Sequence, residues 1–205
     1  MGAVLLKKAD RTRKQLLDAA LRVISRKGYS SATVDEIVRE AGVSKGVAYY
    51  HFKNKAAIAE DILDRELGRL ADEFAQIADE APNSSEALTT MLESFAANLY
   101  DHREFARFFM TELWREGRVW SHEMRDKTQS LVDVVAAQFA RGQKEGVVRA
   151  EVDPTFEAVA IVGMVLTTTM YYVGQEEEPQ LSRKEFVQRI YDFARRSAVE
   201  SALLQ

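Results

Sequence analysis

Apolar residues recur at helical spacing along nearly the whole chain, and no alternating β-branched run bounded by turns interrupts them. Leu17, Ala20, Leu21 and Ile24 lay one stripe along a first helix of about residues 9–27, which Gly28 closes. Thr33 then opens "TVDE", the spacing at which a hydroxyl and a carboxylate satisfy each other's orphan backbone donors. Val34, Ile37, Val38 and Ala41 follow at i, i+3, i+4 and i+7, which makes a short one-faced helix ended by Gly42. Ser44 caps a third helix over about 45–51, and Asn54 caps a fourth that starts at Lys55. Its stripe runs through Ala59, Ile62, Leu63, Leu67, Leu70, Phe74 and Ile77 to about residue 80.

"EAPNSSE" breaks that helix and places Asn83 three residues before Glu86, a second capping pattern. Further helices are predicted at about 84–100, 103–116 and 119–145, the last closed by Gly146. Asp153 followed by Pro154 is a cap with Pro at the first helical position, and it opens a helix to about residue 173, ended by Gly174. Ser182 and Glu185 begin a terminal helix with Phe186, Ile190, Phe193 and Ser197 on one side. The sum is an all-α chain of about nine helices with no internal repeat. Residues 158–173 carry no charge and are apolar on too many faces for a helix with one wet side. They fall short of the roughly 20 apolar residues that a bilayer needs and include Thr167, Thr168 and Thr169. The expectation is therefore a helix buried against the body and a second copy, with Gly163 allowing close approach, and no membrane.

Charge divides the chain. Residues 1–55 hold 12 Lys+Arg against 5 Asp+Glu, whereas residues 56–205 hold 16 against 27. A head of net charge +7 on a body of −11 points to a polyanion-binding module of residues 1–55 joined to a second domain of 56–205. The chain has no cysteine, which excludes disulfides and thiol nucleophiles and suits a reducing cytoplasm. No basic-then-apolar signal segment opens it. His51, His102 and His122 sit in no metal-ligating spacing, and no Gly-rich phosphate loop occurs, so neither an enzyme, a metal site nor a cofactor is expected.

Within the head, helix, Gly turn and short helix follow the arithmetic of a helix-turn-helix at about residues 33–52, whose second helix enters the major groove. Lys45, one residue past its cap, is placed to donate to guanine, Gly46 lets the backbone approach bases, and Val47 suits a thymine methyl. Tyr49, Tyr50 and His51 offer donors to phosphate oxygens, and Lys55 adds charge at the start of the next helix. Thr33, opening its own helix, makes a phosphate site of its hydroxyl and neighbouring N–H groups. The competing reading makes "YYHF" a core cluster, and part of it holds for either case. Phe52 and one of the two tyrosines, with Tyr50 the candidate, are expected to pack against Val34, Ile37 and the first helix.

The stretch "TRKQLLDAALRVISRKGYSSATVDEIVREAGVSKGVAYYHFKNKAAIAEDIL", residues 12–63, resembles the N-terminal DNA-binding domain of the TetR family of bacterial repressors. Its most specific parts are "LLDAAL", the Gly-Tyr after the first helix, "TVDEIVREAGVSKG" and "YYHFKNK". The resemblance implies that Thr33, Lys45, Gly46, Val47, Tyr49, His51 and Lys55 occupy positions that commonly contact DNA. The family's frequent Thr-Leu before the aromatic pair is Val47-Ala48 here, so no hydrogen bond from position 47 carries over.

Beyond residue 80 the resemblance is one of architecture. It implies a helical C-terminal domain that encloses an effector pocket and forms a homodimer through its last two helices, here about 154–173 and 182–204. For the pocket, the aromatic cluster Phe105, Phe108, Phe109, Leu113, Trp114 and Trp120 is the candidate, faced by Met164, Thr168, Tyr171 and Tyr172. Such a lining suits a small, largely apolar ligand. The function expected is a cytoplasmic repressor released from a palindromic DNA operator by that ligand. The alternative is a helical interaction module whose basic head binds an acidic protein or a membrane surface without reading sequence.

Overall fold

The computed structural model describes the backbone of residues 2–113, 122–173 and 179–198, and the side chains of residues 9–112, 125–173 and 179–196. Among them are nine helices and no strand: α1 Gly2–Lys27, α2 Val34–Ala41, α3 Lys45–His51, α4 Lys55–Glu80, α5 Ser84–Asp101, α6 Arg103–Leu113, α7 His122–Glu145, α8 Pro154–Tyr172 and α9 Arg183–Ala198. The helix boundaries follow the caps read from sequence. Thr33 and Glu36 complete the reciprocal capping box, Ser44 accepts from Val47 N–H, and Asp153 accepts from the N–H groups of Thr155 and Phe156. Gly28, Gly42 and Gly146 take φ of 79°, 67° and 75°, the left-handed conformation that lets a helix end without a Cβ clash.

Two expectations shift. Helix α1 starts at Gly2 instead of about residue 9, since the good helix formers between Ala3 and Lys8 contain nothing to stop it. On α9 the buried positions are Phe186, Ile190 and Ala194, and Phe193 is 62% exposed. Each is four residues from the next, so they align on the helix, and Phe193 falls about a quarter-turn away. The predicted continuations over residues 114–116 and 119–121 lie outside the described residues.

The chain forms two compact units. The first holds residues 1–66 with 107–119, and the second holds 67–106 with 120–205. In the first, α1 packs on α2 and α3, and Leu16, Leu17, Ala20 and Ile24 of α1, Ile37, Val38 and Ala41 of α2, Ala48 of α3 and Ile58 and Ile62 of α4 are all buried. Burying an aliphatic side chain of this size contributes about 1.5–3 kcal/mol, so this apolar seam outweighs the exposed ion pairs around it. Those pairs, Arg22 and Arg26 on Glu40 and Lys27 on Glu36, tie α1 to α2. Phe108 and Phe109 of α6 are buried as well.

In the second unit α7 packs on α8, and α5 packs on α7, α8 and α9. Two polar clasps set its geometry. At one, the Glu145 carboxylate accepts from the Ser84 N–H at 2.9 Å and the Ser84 hydroxyl at 2.5 Å, while Arg141 donates to Glu145 and to the Pro82 carbonyl at 2.8 Å. The end of α7 is thereby held against the start of α5. At the other, the Tyr100 hydroxyl donates to the Leu181 carbonyl at 2.9 Å and Arg183 pairs with Asp101, joining α5 to α9.

Helix α8 is long and apolar enough by composition to cross a membrane. Its two faces explain that composition differently. Ala158, Val165, Leu166 and Thr169 are buried, with the Thr169 hydroxyl donating back to the Val165 carbonyl at 2.7 Å, whereas Phe156, Val159, Gly163, Thr167 and Tyr171 form an exposed row.

Gly142 on α7 is a packing requirement. A Cβ there would lie 2.5 Å from Cγ2 of Val148 and 3.3 Å from its Cβ, atoms of a stiff β-branched side chain. Gly68 on α4 has open space around it. Gly142→Ala is therefore expected to lower the unfolding free energy by about 1–3 kcal/mol through overpacking, while Gly68→Ala raises it by up to about 1 kcal/mol through helix propensity. Urea denaturation of both variants checks the opposite signs.

Candidate functional site: a nucleic-acid interface and an apolar cavity

Helix α3 has seven residues, and its register decides which side chains reach water. Ala48 is 1% exposed and Phe52, four residues on, is 5% exposed, so these two face the core of the first unit. The Arg13 guanidinium lies 5.6 Å from the Phe52 ring centroid and covers its edge of the core. Lys45, Gly46, Val47, Tyr49 and Tyr50 then fall on the outside. The expectation that one tyrosine packs inward is overturned: Tyr49 is 50% and Tyr50 83% exposed. Ala48 fills the inward position, because a four-residue spacing from Phe52 aligns it with the core and leaves both tyrosines turned away. His51 is half-buried, its ring 5.1 Å from Tyr50 in an edge-on arrangement.

The charged and hydroxyl groups are not free donors. Lys45 Nζ lies 2.6 Å from Asp35 Oδ1, an exposed pair that holds the lysine at the start of α3 and raises its pKa. The Thr33 hydroxyl and N–H both donate to Glu36 Oε2, at 3.0 and 3.1 Å. The phosphate site expected at that helix start thus already receives a carboxylate from the same chain. Contact with Lys27 first, then the two Thr33 donors, lowers the Glu36 pKa from 4.5 to about 2.

Lys55 is committed further still. Its ammonium donates to the Tyr29 carbonyl at 2.5 Å, the Ser30 carbonyl at 3.2 Å and the Ala32 carbonyl at 2.7 Å, and lies 4.5 Å from the Tyr29 ring centroid. An ammonium has three donors, so the geometry makes Lys55 the clamp of the α1–α2 connection, a job that sequence spacing did not suggest. Only the tertiary fold brings those carbonyls to it.

The second unit contains a cavity of about 390 Å³. Its wall is drawn from α4, α5, α7, the segment after α7, α8 and α9, with Phe74, Phe95, Val135, Phe139 and Val148 among its buried apolar residues. Phe105, Phe108, Phe109, Met164, Thr168, Tyr171 and Tyr172 are absent from this wall. Phe108 and Phe109 are instead core, at 1% and 7% exposure, Tyr171 is 65% exposed, and the Thr168 hydroxyl donates to the Met164 carbonyl at 2.7 Å. Trp114, Trp120 and the side chain of Leu113 lie outside the described residues. The cavity residues went unread because Leu92, Val148, Ile161 and Tyr191 follow no single local pattern.

Two segments of the chain match known family descriptions. Residues 16–62 match the family described as bacterial regulatory proteins, tetR family, and residues 85–193 match the tetracyclin repressor-like C-terminal domain. The fatty acid metabolism regulator protein of Bacillus subtilis is 22% identical over 167 residues, covering 82% of this chain and 86% of that one. The A-factor receptor protein of Streptomyces griseus is 34% identical over 157 residues, 76% of this chain and 52% of that one. Among solved structures, the regulator FadR from Bacillus subtilis in complex with stearoyl-CoA superposes with a TM-score of 0.77 at 19% identity, over 88% of this chain and 96% of that one.

Lys55→Met is expected to destabilise the protein by about 1–3 kcal/mol, since it strips a charged donor from two part-buried carbonyls and one exposed one, and to leave the salt dependence of DNA binding unchanged. Thermal unfolding and a salt titration separate this clamp from a phosphate contact, which would cost about one unit of slope. The Glu36 cap gives a pH signature: because its folded pKa is depressed, its stabilisation is whole above about 4.5 and fades as pH falls toward about 2. NMR titration of Lys27→Met is expected to find the Glu36 midpoint moved up toward 4.5. An unmoved midpoint would remove Lys27 as the main cause.

Proposed function

Because the chain belongs to the TetR family of bacterial regulatory proteins, we propose that it is a cytoplasmic transcriptional repressor. In this reading a homodimer sits on a near-palindromic operator and is released by a small, largely apolar ligand held in the second unit. The relatives it matches are named as regulators, not enzymes, and the alternative of an interaction module that reads no sequence is not favoured.

One observation carries the DNA reading: α3 turns Ala48 and Phe52 inward and leaves Lys45, Gly46, Val47, Tyr49 and Tyr50 in water, on a head of net charge +7. Docking in the major groove would exchange the Asp35 partner of Lys45 for a guanine edge and set the two tyrosines and His51 beside phosphates. Thr33 then contributes as the cap that aims α2, and Lys55 as the clamp that aims α3. Two such heads about 34 Å apart read successive turns of DNA, which requires a dimer. The exposed row Phe156, Val159, Gly163, Thr167 and Tyr171 on α8, with exposed Phe193 on α9, supports a dimer built on those two helices.

For release, α4 carries both Lys55 and Phe74, a wall residue of the cavity. A ligand that displaces Phe74 shifts the heads only so far as it binds the DNA-incompetent spacing more tightly than the competent one.

The test begins with selecting bound sites from random duplexes and continues with Val159→Glu, which places like charges across the two-fold axis. The variant is expected to sediment as a monomer and to lose preference for the selected site while keeping weak, salt-dependent binding to any duplex. A dimeric variant with undiminished preference would contradict this assembly, and native protein that selects no site would contradict the function.

A further inference from the structure

The wall of the cavity changes character from floor to rim. Met91, Phe74 and Phe139 are 2%, 4% and 2% exposed and purely apolar, whereas Ser85 and Arg195 on the same wall are exposed and Thr89 and Tyr191 are half-buried. Arg195 is the one formal charge among the described lining residues. Its guanidinium makes no hydrogen bond or ion pair with any described residue, unlike those of Arg141 and Arg183, which are spent on carboxylates and carbonyls in the same unit. A guanidinium is never neutral at physiological pH and presents a planar fork that matches an oxyanion.

We propose that this cavity takes an anionic amphiphile: a single apolar chain lying on the Phe74, Met91 and Phe139 floor, ending in a carboxylate or similar oxyanion that pairs with Arg195 at the rim. The inference rests on the reading of this cavity as the effector site and adds the charge of the ligand to it. Composition alone points the other way, since residues 56–205 carry a net charge of −11 and repel anions. That repulsion is spread over the surface and screened beyond about 8 Å at physiological ionic strength, so the adjacent guanidinium decides the sign at the rim. The tail supplies most of the affinity through apolar burial, and the exposed ion pair supplies the discrimination, which is modest for a solvent-accessible guanidinium.

The test is calorimetric titration of the full-length protein with decanoate, decanol and decylammonium, each below its aggregation concentration. Decanoate is expected to bind about fivefold tighter than decanol, with decylammonium weakest. Arg195→Gln is expected to bring decanoate down to the affinity of decanol and leave decanol unchanged. Thr89→Trp, which fills the rim while leaving the buried floor intact, is expected to abolish binding of all three. Equal affinity for decanoate and decanol in the native protein, or a preference that survives Arg195→Gln, would overturn the anionic head and leave the apolar cavity standing. No binding by any of the three would overturn both. Decanoate binding that survives Thr89→Trp would place the ligand elsewhere and overturn the proposal.

Discussion

The start of α4 is held to the α1–α2 connection by one ammonium group. Lys55 Nζ gathers the carbonyls of Tyr29, Ser30 and Ala32, which leave α1 and approach α2, and it does so from the first residue of α4. Backbone carbonyls in a connection between helices have no ladder partners of their own, and a part-buried carbonyl left unpaired is costly. A single cation that satisfies three of them fixes the start of α4 against the α1–α2 connection. Since α3 lies between α2 and α4 and is only seven residues long, its exposed row is aimed by this clamp and by the inward pair Ala48 and Phe52.

The same economy governs the second unit. Glu145, Ser84 and Arg141 pin the end of α7 to the start of α5, and Gly142 removes the one side chain that would hold Val148 away. Val148 is thereby brought into the cavity wall beside Phe139 and Phe95. The cavity wall itself is mostly apolar, and the polar clasps lie outside it at the helix ends, where they hold the elements that carry the wall.

Helix α8 shows how composition and structure answer different questions. Its apolar residues are spread around the helix because two sides have different duties, one packing within the unit and one facing outward as an apolar row. Small residues at Gly163 and Thr167 in the centre of that row, flanked by Phe156, Val159 and Tyr171, are the shape that a second helix can approach closely.

The number of helices, their type and most of their ends were legible in the sequence, because caps and helix-ending glycines act within a few residues of themselves. Thr33 with Glu36, Ser44, Asp153 with Pro154, and Gly28, Gly42 and Gly146 each do locally what their spacing implies. The helix-turn-helix was legible for the same reason. Which face of a helix looks inward depends on neighbours distant in sequence, and there the structure differs: Tyr50 turns outward, Ala194 takes the inward place expected of Phe193, and the α6 aromatics Phe108 and Phe109 are buried apart from the wall of the described cavity. Lys55 is read from sequence as a phosphate contact, and folding in addition places three carbonyls around it. Local signals thus determined where each helix begins and stops. Only tertiary packing decided which donors were already spent, where an unfilled space remained, and which cation, Arg195, was left beside it.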